Sequence, residues 1–241
     1  MRNYKKFFFL FFLIINLISN IHSQESSTQD SSFKTNSIKA VYYEKLAKED
    51  SFDTKLKVVN DILAEIEIYS EKDKSIIDVL AYLSGLGTLY KDLKSKTSGR
   101  KSMPVIRQKA IKALGLIGGN DSRQAVLSSL KLEWDEPAVL GEFFRSLANI
   151  GDTEEHVVTK SIIAKFDRLS KKSKEILKYS EAIIEIINAL EKLAREKSIV
   201  DIEATGITRT LNRISNEKST NIIFPTSIRR HAKNTIIKIF Q

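Results

Sequence analysis

The sequence predicts an all-α fold, a right-handed solenoid of about five stacked helical hairpins. Three observations carry that expectation. From Ile38 onward, apolar residues recur at helical spacing along most of the chain. Nine Gly and three Pro in 241 residues are few for the many turns of an all-β fold. Between Pro104 and Gly151 one pattern occurs twice: Ile106, Ala110, Leu114, Ile117 and Gly118 return 33 residues later as Val139, Phe143, Leu147, Ile150 and Gly151. Hydrophobic residues make up 42% and charged residues 29%, enough for a sizeable core.

The first residues belong to another category. Arg2, Lys5 and Lys6 precede a 12-residue apolar run, residues 7–18, broken only by Asn16. Residues 1–23 therefore read as a secretory signal peptide, cleaved after Ser23, because the run is short for a membrane span. The alternative is an uncleaved anchor. Both place the protein outside the cytoplasm, most plausibly in a bacterial periplasm. Loss of residues 1–23 removes three cations and no acid, so the formal net charge falls from +9 to +6. The absence of Cys excludes disulfides, a lipid-modified N-terminal Cys and Cys-rich metal sites. Residues 24–37 are rich in Ser, Thr and Gln and read as a disordered spacer. Residues 38–241 form the helical repeat domain.

Within that domain, Val41, Tyr42, Lys45 and Leu46 suggest a short lead-in helix. Asp53 is expected to cap the next helix, which carries Leu56, Val59, Ile62, Leu63 and Ile66. A helix from about residue 73 to 86 buries Ile76, Ile77, Leu80 and Leu83, and Gly87 would end it in a left-handed conformation. Leu80, Leu83, Leu86 and Gly87 repeat 31 residues later as Ile111, Leu114, Ile117 and Gly118, a weaker third copy. A short helix over residues 88–94 and a polar loop over 95–103 follow. Pro104 opens the next helix at the position proline tolerates best. Asp121 or Ser122 is expected to cap a helix with Ala125, Val126, Leu127 and Leu130, and Pro137 starts the one ending at Ile150. Later helices are expected over residues 157–166, 175–197, 199–214 and 227–240. In the last, Ile228, Ala232, Ile236 and Ile239 reuse the slots of Ile106, Ala110, Leu114 and Ile117.

The pattern Ile106-Arg107, Ala110, Ala113-Leu114-Gly115, Ile117-Gly118 and Asp121 resembles HEAT repeats, in particular the short bacterial version named after phycobilisome lyases. The match is good over residues 104–151, moderate over 75–87 and 227–240, and generic elsewhere. The next copy departs from it: Leu140 replaces the Arg, and Phe143 and Phe144 replace small residues. The resemblance implies a stacked-hairpin scaffold. It implies no lyase activity, because this repeat serves many unrelated proteins. HEAT-like deoxyhypusine hydroxylases bind iron through His-Glu pairs, and this chain has no His-Glu dipeptide.

Little else points to catalysis. After residue 23 only His156 and His231 remain. His156 follows Asp152 and Thr153, which read as helix caps, and no second His lies four residues away as a zinc helix requires. His231 sits among Arg229, Arg230 and Lys233, which would repel a metal. There is no Gly-rich phosphate loop and no Gly-x-Ser-x-Gly turn. No catalytic, cofactor-binding or metal-binding residue is therefore assigned, and no cofactor is expected. Asn120-Asp121-Ser122 is formally a glycosylation sequon, but a capping role for Asp121 is preferred. Trp134, between acidic residues, is expected to cover the end of a hairpin.

Charge distribution is more informative. Lys94, Lys96, Arg100, Lys101, Arg107, Lys109 and Lys112 follow one another without an intervening acid, as do Lys218, Arg229, Arg230, Lys233 and Lys238. A solvated face explains such runs in the simplest way. If both runs share the concave surface, they form a basic face for an acidic protein, anionic lipid headgroups or a cell-wall polyanion. The functional expectation is a non-catalytic, extracytoplasmic protein-binding scaffold. The alternatives are a nucleic-acid binder using the same face, which export disfavours, and an enzyme subunit. Membrane association is expected only through the N-terminal segment.

Overall fold

The computed structural model describes residues 38–86, 103–132, 136–171, 173–216 and 224–241. It is all-helical, with no strand among the described residues. The expected signal peptide, the spacer, the helix over 88–94, most of the basic loop, Gly87 and Trp134 lie outside those residues.

Eleven helices follow in order: α1 (residues 38–48), α2 (Phe52–Ala64), α3 (Lys74–Ser84), α4 (Pro104–Ile117), α5 (Gly119–Leu132), α6 (Pro137–Ile150), α7 (Val157–Ser170), α8 (Ser180–Ala194), α9 (Ile199–Thr205), α10 (Ile207–Ser215) and α11 (Thr226–Ile239). Short 3-10 turns cover Ile66–Ile68 and Ser173–Tyr179. Helix α2 is capped by Ser51, whose side chain accepts from the Thr54 amide, and Asp53 sits inside its first turn. The single helix expected over residues 175–197 is divided into the second 3-10 turn and α8. The helix expected over 199–214 is divided at Gly206, whose φ of 79° is left-handed.

The helices pack in two layers. In one, α2 lies against α4, α4 against α6, α6 against α8 and α8 against α11. In the other, α3 lies against α5, and α7 against α10. The layers meet where α3 packs on α4, α5 on α4 and α6, α7 on α6 and α8, and α10 on α11 and α8. The repeated sequence positions fill the space between them. Ile106, Ala110, Leu114, Val139, Phe143 and Leu147 are all fully buried, as are Ile183, Ile186, Ile187 and Leu190 on α8. Each large aliphatic or aromatic side chain so buried contributes roughly 1.5–3 kcal/mol.

Side-chain pairing also fixes direction within the first layer. Arg107, near the start of α4, feels the charge of Glu136 at the start of α6, whereas Gly115 near its end abuts Ser146. Arg145 and Asn149 of α6 meet Glu185 and Lys192 of α8, in that order. Asn188 and Glu191 of α8 meet His231 and Thr235 of α11. Helices α4, α6, α8 and α11 are therefore parallel. In the second layer, Lys74 pairs with Asp121 and Ser84 with Ser129, so α3 and α5 are parallel too.

Two glycine roles are visible. Gly118 and Gly151 end α4 and α6 with φ of 74° and 85°, a conformation that would strain a residue with a Cβ. Gly115 is needed for close approach: a Cβ there would lie 2.6 Å from Ser146 Cβ and 2.8 Å from its Cα.

Candidate functional site

The residues of the expected basic face do not fall together. Lys94, Lys96, Arg100 and Lys101 lie outside the described residues. Lys109 and Lys112 project from the solvent side of α4, between exposed Val105 and Leu116. Lys109 donates to Asn60 Oδ1 of α2 at 2.8 Å. Arg229, Arg230 and Lys233 lie on α11, with Arg230 and Lys233 exposed and Arg229 half-buried, donating to Thr226 Oγ1 at 3.1 Å.

Arg107 does not belong to an exposed face. Its side chain is buried, 4% exposed, because its position on α4 turns toward the start of α6. Burial pushes the guanidinium pKa down, and the Glu136 charge opposes that push. The two basic regions are also not adjacent. Helices α6 and α8 separate α4 from α11 in the layer, and at 8–10 Å per step that is roughly 24–30 Å.

The intervening stretch neutralises itself. Arg145 donates to Glu142 Oε2 at 2.5 Å and to Glu185 Oε1 at 2.8 Å. Glu191, almost fully buried, accepts from Arg195 at 2.5 Å, Thr235 at 3.1 Å and Lys238 at 3.4 Å. Burial pushes the Glu191 carboxyl up, but these bonds and charges outweigh it and hold it below its ordinary value. The surface formed by α6, α8 and α11 is thus cross-linked and mixed in sign. Around α4, half-buried Lys109 and exposed Lys112 have no carboxylate partner among the described residues, and on α11 exposed Arg230 and Lys233 have none either.

A second polar cluster lies where α7 begins, near the α8–α9 junction, and sequence reasoning saw only its capping half. Asp152 Oδ1 accepts from the Thr153 and Val158 amides at 3.0 and 2.9 Å, and Thr153 Oγ1 accepts from the Val157 amide. The two expected caps are therefore both engaged. In addition, Asp152 Oδ2 accepts from Thr159 Oγ1 at 2.5 Å and from Lys197 Nζ at 2.8 Å. Lys197 Nζ also lies 2.7 Å from His156 Nδ1. With the lysine as donor, that nitrogen is the acceptor and the proton sits on Nε2. Asp201 Oδ1 is 4.0 Å from Nε2, and Ser198 Oγ donates to Asp201 Oδ2 at 2.6 Å. His156 has φ of 57°, the one non-glycine residue with a positive φ among those described. Burial pushes the Asp152 carboxyl up, but the bonds from Lys197, Thr159 and Thr153 together hold it below its ordinary value.

This cluster ties three elements together, and its geometry is that of a junction. Its lysine and aspartate are engaged with each other. Among the described residues no group of three His, Asp or Glu converges as a metal ligand set. His231 Nε2 lies 2.7 Å from Asn188 Oδ1, a cross-helix contact in the first layer. Asn120 is exposed, accepting from Arg123 at 3.4 Å, whereas Ser122 is fully buried within the first turns of α5. Comparison with known protein families, curated proteins and solved structures returns no match.

Proposed function

We propose that the chain is a HEAT-like α-solenoid that acts as a non-catalytic, extracytoplasmic protein-binding scaffold. The parallel order of α4, α6, α8 and α11, with a second layer behind them, supports the stacked-hairpin reading. In such an array each helix of a layer contributes a few exposed side chains to an extended surface. The observation that carries the binding assignment is the pairing of lysines with exposed aliphatic side chains on α4. Between α4 and α11, Arg145, Arg195 and Lys238 are engaged with carboxylates of α6 and α8. The α4 part presents Lys109 and Lys112 flanked by Val105 and Leu116, and in sequence it adjoins Lys94, Lys96, Arg100 and Lys101. Lysines beside exposed aliphatic side chains suit an acidic protein surface that also carries apolar residues.

Crosslinking followed by affinity capture from intact cells tests this assignment, with the wild type compared against Lys109→Glu/Lys112→Glu. Lys112 is exposed and Lys109 half-buried with one bond to Asn60, so circular dichroism melting checks that the variant remains folded. The expected result is loss of the captured acidic proteins at unchanged thermal stability. An unchanged set of captured proteins overturns the assignment. Duplex DNA binding that weakens steeply with salt favours the nucleic-acid alternative instead. Export rests on the basic and apolar pattern of residues 1–23. N-terminal sequencing of the protein from the extracytoplasmic fraction distinguishes cleavage near Gln24 from a retained segment. No helix among the described residues is long and apolar enough to cross a membrane.

A further inference from the structure

The N-terminal end of the fold carries an apolar surface of its own. Helix α1 faces the core through Ala40, Tyr43 and Ala47, which are 2%, 6% and 1% exposed. At 100° per residue, its opposite side is formed by Ile38, Val41, Tyr42 and Lys45. Ile38, Val41 and Tyr42 are 73%, 65% and 55% exposed. Ile68, on the adjoining 3-10 turn, is 55% exposed. Terminal helices of a stacked array ordinarily turn a polar face outward, because no further hairpin covers them. This end does the reverse.

The stripe is held rigidly. Lys39 Nζ donates to both carboxylate oxygens of Glu65, at 2.9 and 2.8 Å, and Tyr69 Oη donates to Glu65 Oε2 at 3.0 Å. Glu65 leads into the 3-10 turn that carries Ile68, so α1 and Ile68 are fixed to one another through this carboxylate.

What lies upstream identifies the occupant. The apolar run of residues 7–18 ends 20 residues before Ile38, and Arg2, Lys5 and Lys6 precede it. Such a run is lipid-seeking but short for a comfortable span, and one marginal anchor gives weak membrane attachment unless a second contact joins it. A tether of that length keeps α1 within reach of the same lipid surface. Tyr42 and Lys45 on an aliphatic stripe suit that interface, since both place an apolar body in the acyl boundary and a polar end among headgroups.

We propose that the outer side of α1, with Ile68, is a lipid-facing surface that acts as the second membrane contact of a chain tethered by its N-terminal segment. The proposal rests on the uncleaved-anchor alternative for residues 1–23 and is independent of which protein the α4 face holds.

The sequence has no Cys, so a single introduced thiol reports on one position. The full chain carrying Val41→Cys is labelled with an environment-sensitive dye and mixed with phosphatidylethanolamine–phosphatidylglycerol vesicles. Lys160→Cys on α7 serves as the comparison. The expected result is a blue shift at position 41, quenched by acyl-chain quenchers, and none at position 160. Ile38→Ser/Val41→Ser/Tyr42→Ser in the full chain is expected to weaken vesicle binding by roughly tenfold, because three exposed apolar side chains are lost. Circular dichroism melting checks that this variant remains folded. A vesicle-bound chain whose position 41 stays in water overturns the proposal, as does a folded triple serine variant that binds like the wild type. A chain that does not bind vesicles also overturns it. Concentration-dependent self-association abolished by the triple substitution would assign the stripe to a second copy instead.

Discussion

Lys197 Nζ lies 2.8 Å from Asp152 Oδ2, and the two side chains are only 6% and 7% exposed. The residues are 45 apart in sequence, so this ion pair joins the start of α7 to the turn between α8 and α9. Asp152 also accepts from the Val158 amide in the first turn of α7, which suits a carboxylate, and from the Thr153 amide in the loop before it. Removing one member leaves a buried charge without its partner. Asp152→Ala and Lys197→Met are each expected to destabilise the fold by about 3–5 kcal/mol in urea unfolding. The double substitution should cost less than the sum of the two. Additive losses would show that the pair does not couple.

Acid sensitivity follows from the same carboxylate. The Asp152 pKa is held below its ordinary value in the folded state, as are those of Glu191 and Glu65. A depressed carboxyl contributes stability that is fully present above its unfolded pKa, about 4, and is lost as pH falls through the folded value. Unfolding free energy is therefore expected to decline as pH drops below about 4. The gap between wild type and Asp152→Asn should narrow over the same range. A gap that stays constant down to the folded pKa and below would remove Asp152 from the acid transition.

Gly115→Ala tests the close crossing of α4 and α6. Alanine is the better helix former, so propensity alone predicts a gain of up to about 1 kcal/mol. The clash with Ser146, including its backbone Cα at 2.8 Å, predicts a loss of about 1–3 kcal/mol instead. The clash is expected to dominate, because a backbone atom cannot rotate away. Gly115→Ala/Ser146→Gly should recover part of the loss.

Glu191→Ala separates local from global stability. The substitution leaves Thr235 Oγ1, on a fully buried residue, without its acceptor and releases Arg195 and Lys238. A loss of about 1–3 kcal/mol is expected. Because α11 is the last helix of its layer, amide exchange should rise first in α11, while α4 and α6 remain protected. Uniform exchange along the chain would show that the helices unfold as one unit.

The helices of the central stretch were legible because their constraint is local and repeated. Ile106, Ala110 and Leu114 recur as Val139, Phe143 and Leu147, and Gly118 and Gly151 stop both helices for the same backbone reason. The candidate basic face was legible only as a list of cations. Helical spacing tells which residues share a side of α4, but not which neighbour covers that side. Arg107, one residue beyond a core position, is buried beside α6, whereas Lys109 and Lys112 remain outward. Helix α1 was legible as a helix, but its buried side was not. Val41 and Tyr42 are the more conspicuous apolar residues, yet small Ala40 and Ala47 with Tyr43 face the core, because close packing there favours small side chains.

By itself, then, the sequence determined the helical class, the repeat spacing, the glycine stops and the apolar N-terminal segment, all of which depend on residues a few positions apart. Tertiary structure decided the pairing of Asp152 with Lys197, the ion pairs of Arg145 and Lys238 with carboxylates of α8, and the outward stripe of α1. These depend on contacts between residues about 40 or more apart, or on which side of a helix finds a neighbour. Helical periodicity fixes a side chain's angle about its own axis, and only packing fixes what stands opposite it.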